Sequence, residues 1–205
     1  MADWGPGWGS GFTEIAAIAA TLGGPQLDVE LVGPHLRVGG RISLGRFGRL
    51  SDRINHGRGY ILMSDARLLK RNGEPTPLVV NELYVNQDEI TFVAVSRAGV
   101  DDRPATGVGG DRPYVAKQAR QYVVFTPGHT ISGRMHVHEG MALANFVDST
   151  EPRFIPMTSA TTRSLADRRV VSRFDLVLVN RTQMTAIAEA EQAGRAPEAI
   201  EIETD

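Results

Sequence analysis

One seven-residue stretch occurs twice in this chain, and it restricts the possible folds more than any other feature. Tyr60-Ile61-Leu62-Met63-Ser64-Asp65-Ala66 returns as Phe154-Ile155-Pro156-Met157-Thr158-Ser159-Ala160. In each copy an aromatic residue leads, Ile and Met hold the second and fourth places, and a hydroxyl follows. Apolar residues alternate with polar or small ones, the period of a strand packed on a core. Both copies are therefore expected to form the central core strand of a β unit, with Tyr60 and Phe154 inside.

The likeness extends beyond this stretch. An offset of 93 aligns Pro34 with Pro127, Gly40-Arg41 with Gly133-Arg134, Leu50 with Leu143 and Ile54 with Val147. One added residue in the following loop raises the offset to 94. It then holds from Ile61 with Ile155 to Ala94 with Ala188, and matches Val85-Asn86 with Val179-Asn180. A constant offset with matches at both ends points to an internal duplication.

Coarse elements follow from the first copy. Leu27, Val29 and Leu31 alternate as a strand, and Gly33-Pro34 turns the chain into a second strand over Leu36 to Leu44. Leu50 to Asn55 can form one helical turn. The third strand is Tyr60 to Lys70, and Asn72-Gly73 signals a hairpin. Strands around Leu78–Val85 and Ile90–Val95 complete the copy. In the second copy Thr182 to Gln192 is helical by propensity, but its counterpart Ile90 to Val95 is β-branched and strand-like. The duplication therefore assigns Met184 to Ala188 to a strand, with room for a short helix from Glu189.

The expected organisation is an arm and short helix over 1–24, a β-barrel repeat over 25–96, a linker over 97–117, a second β-barrel repeat over 118–190 and an acidic tail over 191–205. Asp101-Asp102, Pro104, Gly107 and Gly109-Gly110 give the linker little to bury. At the N-terminus Trp4 and Trp8 stand among glycines, which favours a flexible tail over a docking arm. Thr13 can cap a helix carrying Ile15, Ile18 and Leu22, which Gly23-Gly24 would end.

Composition bounds the function class. The 205 residues are 41% apolar and 22% charged, with a net charge of −2 and no cysteine. Disulfides and thiolate sites are excluded. The charge gives no general pull toward nucleic acid or anionic membrane, so RNA is disfavoured and no DNA signal is present. The longest apolar run, Ile15 to Leu22, is too short to span a bilayer, and no basic leader precedes it. A cytoplasmic location is expected.

The order of two strands, a turn, a long bent strand, a hairpin strand, a tight turn and a last strand resembles small Sm-like or SH3-like barrels. Leu143-Ala144-Asn145-Phe146-Val147-Asp148 followed by Phe154 to Ala160 also resembles a family of uncharacterised bacterial small β domains. There a Leu-x-Asp-(Leu or Phe)-(Leu or Ile)-Asn turn precedes a Phe-Ile-Pro-Leu-Thr-Asp-Ala strand. Copy one departs at Leu62, where Pro is usual, and copy two at Ser159, where Asp is usual. The resemblance covers both repeats and omits the N-terminal 25 residues. It implies a mainly β fold of two tandem barrels, with no established activity. In Sm-like proteins the turn at Asn86 or Asn180 can contact RNA.

Few residues carry chemistry. His136 and His138 lie two apart on one strand, so they share a face, with Glu139 adjacent and His129 a possible approach from the preceding turn. Copy one has Ser43 and Gly45 at those places, so the fold does not require the pair, and a solvated face is the default over a metal site. His35 and His56 stand alone in turns. There is no Gly-x-Ser-x-Gly elbow, and Gly107 to Asp111 lacks the ending of a phosphate loop. Arg41 and Arg134 recur beside a glycine, as framework ion-pair residues or as a repeated basic site. Ser64-Asp65 and Thr158-Ser159 are expected to cap strand ends or turns, and Asn86 and Asn180 to serve tight turns through left-handed geometry.

No residue is thus assigned as catalytic, cofactor-binding or metal-ligating, and no cofactor is called for. The leading expectation is a non-enzymatic adaptor or assembly module with a protein partner or self-assembly. An RNA-binding regulator, favoured by Arg49, Arg53 and Arg58 near one turn, is the alternative. A metal enzyme at His136 and His138 comes last.

Overall fold

The computed structural model describes residues 24–57, 59–95, 117–149 and 151–190. The expectations for the Trp4/Trp8 arm, the helix after Thr13, most of the linker and the acidic tail fall outside these residues. The chain divides into two compact units, residues 1–108 and 109–205.

Unit 1 contains strands β1 (Gln26–Val32), β2 (Arg37–Ser43), β3 (Tyr60–Leu69), β4 (Pro75–Asn86) and β5 (Phe92–Val95), with helix α1 (Leu50–His56) between β2 and β3. The pairings described are antiparallel and the sheet order is β5-β1-β2-β3-β4. Unit 2 contains β6 (Lys117–Phe125), β7 (His129–His138), β8 (Phe154–Ser164), β9 (Val171–Asn180) and β10 (Ala186–Glu189), with helix α2 (Leu143–Asp148) between β7 and β8. Its order, β10-β6-β7-β8-β9, repeats that of unit 1 strand for strand. The mainly β class is as expected. Closure is not: among the described residues no ladder joins β4 to β5 or β9 to β10, so each sheet is open where a closed barrel was expected.

The strand β10 shows tertiary context overriding propensity. Ala186 to Glu189 pair with Tyr122 to Phe125 of β6, although their composition favours helix. A 3-10 turn, Arg181–Gln183, precedes it, and Gln87–Glu89 does the same before β5. Asn86 and Asn180 serve these turns differently from the expectation. Both have ordinary negative φ, and their side-chain oxygens accept the N–H of Asp88 at 3.0 Å and of Thr182 at 3.2 Å. They act as caps rather than as left-handed residues.

The repeated stretch owes its pattern to a bulge in mid-strand. Register between β2 and β3 passes from Gly39 opposite Arg67 to Arg41 opposite Ser64, so Asp65 and Ala66 together oppose Gly40. The same count recurs between β7 and β8, where Ser159 and Ala160 oppose Gly133. Asp65 and Ser159 both take φ of 49°, the left-handed conformation that a bulge uses. The bulge shifts side-chain parity. Ile61, Met63 and Ala66 are all buried despite the odd-to-even step, as are Ile155, Met157 and Ala160. Ser64-Asp65 and Thr158-Ser159 thus bend a continuous strand instead of ending it. The bent strands cross closely at glycine: a Cβ on Gly40 would lie 3.0 Å from the Ser64 carbonyl oxygen and 3.1 Å from the Ala66 Cα, and one on Gly133 3.1 Å from the Thr158 oxygen and 3.2 Å from the Ala160 Cα.

The leading aromatics differ from each other. Phe154 is completely buried, whereas Tyr60 is 44% exposed. The expectation that both fill a core holds for copy two alone. Tyr60 opens β3 directly after Gly59, whose φ of +85° turns the chain at the surface, and it pairs with Asn86 at the end of the ladder.

Candidate interaction surfaces

Where the units share residues, those residues build the interior, so candidate sites lie where they differ. The first difference is β4. It is the end strand of its sheet, and Leu78 and Val79 on it are 56% and 50% exposed. Val79 pairs with Arg67 of β3, and Leu78 stands at the irregularity where the register shifts toward Pro75 opposite Leu69. The aligned residues of β9 are Ser172 and Arg173. An exposed apolar end strand offers unpaired backbone groups and a surface that prefers to be covered.

The second difference concerns the helices. Neither helix has a side-chain N-cap, so each depends on tertiary contacts. In unit 1, Leu50 and Ile54 of α1 are buried, with 1% or less of their surface exposed, and Gln87 Nε2 donates to the Ile54 carbonyl at 3.2 Å. In unit 2, α2 buries none of its residues. Leu143, aligned with Leu50, is half-buried, and Val147, aligned with Ile54, is 48% exposed. Arg181 stands where copy one has Gln87. It donates through Nη1 to the Phe146 carbonyl at 2.6 Å and through Nε to the Pro152 carbonyl at 3.2 Å, with its guanidinium 4.7 Å from the Phe146 ring centre. Burial pushes the Arg181 pKa below its ordinary value. A cation stapled to carbonyls holds α2 in place without packing it down. A groove of about 300 Å³ lies against α2, β7 and the start of β8.

The basic residues divide between structural and open roles. Arg41 forms an ion pair with Asp65 across the bulge, both side chains about half exposed, so the pair adds little stability. The aligned residues are Arg134 and Ser159, and Ser159 offers no carboxylate to Arg134. Ser64 and Thr158 hydroxyls reach the carbonyls of Arg41 and Arg134 at 3.5 and 3.4 Å, a long contact shared by both copies. Arg53 donates to the Ser43 carbonyl at 3.3 Å, and burial lowers its pKa. It therefore serves the fold of unit 1, which takes it out of the basic cluster expected with Arg49; Arg58 lies outside the described residues.

Arg134, His136 and His138 share the exposed face of β7, as their spacing requires, and Lys117 of β6 pairs with His138. His129 does not join them. Seven residues of extended strand separate it from His136, about 24 Å. Among the described residues, no group of three or more His, Cys, Asp and Glu is placed to hold a metal ion. His35 and His56 are exposed, and the His56 ring lies 5.1 Å from that of Phe47. Among the described residues, no helix is long and apolar enough to cross a membrane.

The exposed β4 edge was hidden from sequence reasoning because Leu78 and Val79 look like any strand residues; the lack of apolar partners at Ser172 and Arg173 was its one available signal. Comparison with protein-family models, with curated proteins and with solved structures finds no match for this chain.

Proposed function

We propose that this chain is a non-enzymatic binding and assembly module, built from two copies of one small barrel-like β domain, whose β4 edge takes up a strand from another protein chain. The carrying observation is the pair Leu78 and Val79, apolar, exposed and adjacent on an end strand. Addition of a strand beside Val79 to Glu82 supplies partners for the edge's backbone groups and covers apolar surface, which is how exposed edges capture partners. Pro75 and Pro77 at the start of β4 lack N–H donors and the Leu78 N–H donates to the Thr76 hydroxyl at 3.4 Å, so pairing is directed to the stretch from Val79 to Glu82. The partner is a second copy of this chain or a different protein offering an extended segment.

Light scattering on the purified protein, with Val79→Lys beside it, tests the reading. An assembled state that dissociates in Val79→Lys, or a protein partner whose capture that variant abolishes, is the expected result. A strict monomer that retains no protein partner refutes it.

A further inference from the structure

The groove of unit 2 has two sides of different chemistry. Met141, Phe146, Ile155 and Pro156 give it an apolar wall, while Lys117, His136 and His138 stand along the β6–β7 side. Lys117 supplies a full positive charge and the imidazoles supply N–H donors. Glu151 lines the groove at the α2 end, and Glu139 follows His138. The cationic part is therefore confined to the strand side. A fitting ligand is an extended segment with apolar side chains toward α2 and carboxylates toward Lys117. The aligned helix of unit 1 buries Leu50 and Ile54, whereas α2 buries nothing.

We infer that the occupant is this chain's own segment Pro197–Asp205, Pro-Glu-Ala-Ile-Glu-Ile-Glu-Thr-Asp. Three observations carry this. The first is charge: four carboxylates, at Glu198, Glu201, Glu203 and Asp205, are set against the Lys117 side. The second is pattern: Ile200 and Ile202 are two apart, so in an extended segment they share one face while Glu201 and Glu203 share the other. The third is delivery. β10 runs antiparallel to β6, with Glu189 opposite Tyr122 and the Ala190 N–H donating to the Gln121 carbonyl at 2.9 Å. The chain thus leaves the described structure heading along β6 toward Lys117. Gln121 and Lys117 are about 14 Å apart on the strand. Seven residues from Ala190 to Pro197 reach up to about 24 Å, which suffices. The segment acts as a built-in ligand that any outside peptide of similar character must displace.

The absence of cysteine makes the test clean. Thr204→Cys in the full chain accepts one nitroxide label, and the amide spectrum then reports which residues lie near it. Loss of the Lys117, His138, Met141 and Phe146 signals is expected, with those of Thr130 and Ile131 at the far end of β7, about 25 Å along the strand from His138, retained. Signals should return in Ile200→Asn/Ile202→Asn and in Lys117→Glu/His138→Glu; the first variant changes none of the residues that the structure describes, and an unchanged spectrum of β6 to β10 in it shows that folding is not what moved the signals. Uniform or no broadening overturns the inference. So does broadening that appears in an isotope-labelled chain mixed with a separate spin-labelled one, since that would place the segment on a second copy.

Discussion

Phe154→Ala and Tyr60→Ala should differ sharply although the two positions align. Phe154 is wholly buried. A Phe side chain covers roughly 150–250 Å², and at about 25 cal/mol per Å² its loss beyond the retained methyl, together with the cavity left behind, amounts to about 3–5 kcal/mol. Tyr60 is 44% exposed, and water fills the space that its ring vacates. No large cavity is left, and the transfer of its covered part amounts to about 1–2 kcal/mol. Chemical denaturation followed by circular dichroism measures both, and the shift in midpoint should occur at constant slope. With a urea slope near ~2 kcal/mol/M, Phe154→Ala moves the midpoint by about 1.5–2.5 M. If the two units unfold in separate steps, only the step belonging to unit 2 should move. Equal costs at the two positions, or a Phe154→Ala cost below about 1 kcal/mol, would refute the assignment of Phe154 as the core anchor of β8.

Gly133→Ala should destabilise unit 2 by about 1–3 kcal/mol in the same assay, because its Cβ would press on the Thr158 carbonyl and on Ala160 across the bulge; a neutral result would mean that the strands do not cross that closely. Tyr122 is buried, and desolvation, aided by Glu189, raises its phenol pKa above the ordinary value near 10. Its contribution to stability is therefore intact below pH ~10 and declines as pH rises from there through the raised value. A flatter alkaline decline in Tyr122→Phe, seen in melts across that range, is the expected outcome, and identical pH profiles would discount this residue.

Much of the fold was legible because the likeness between the two halves of the sequence gives two readings of one pattern. Alone, Thr182 to Gln192 reads as helix; beside Ile90 to Val95 it reads as the strand that β10 is. The bulge was not legible. Ser64-Asp65 looks like a strand end since polar residues usually stand there, and nothing local announces that the next residue, Ala66, returns to the core. Only the parity step from Met63 to Ala66, repeated from Met157 to Ala160, carries that information. Tyr60 failed for a related reason: alignment transfers a backbone position but not its burial, which depends on where the ladder stops. The groove could not be read at all, because Leu143 and Val147 are as apolar as Leu50 and Ile54. What differs is the tether, Arg181 for Gln87, and its effect depends on three-dimensional contacts.

That substitution also explains how one fold presents two different surfaces. Gln87 is short, so its bond to the Ile54 carbonyl draws α1 close, and the helix's apolar side chains close the end of the core. Arg181 is longer and carries a charge that resists burial. Its bonds to Phe146 and Pro152 tie down an α2 that buries none of its residues, with the Phe146 ring against the guanidinium. The strand that follows each helix, bent at Asp65 or Ser159, keeps the same buried Ile, Met and Ala in both units. The exposed surface then differs between the units through tether and rim residues: an apolar edge at Leu78 and Val79 in the first, a groove with Lys117 and His138 along one side in the second.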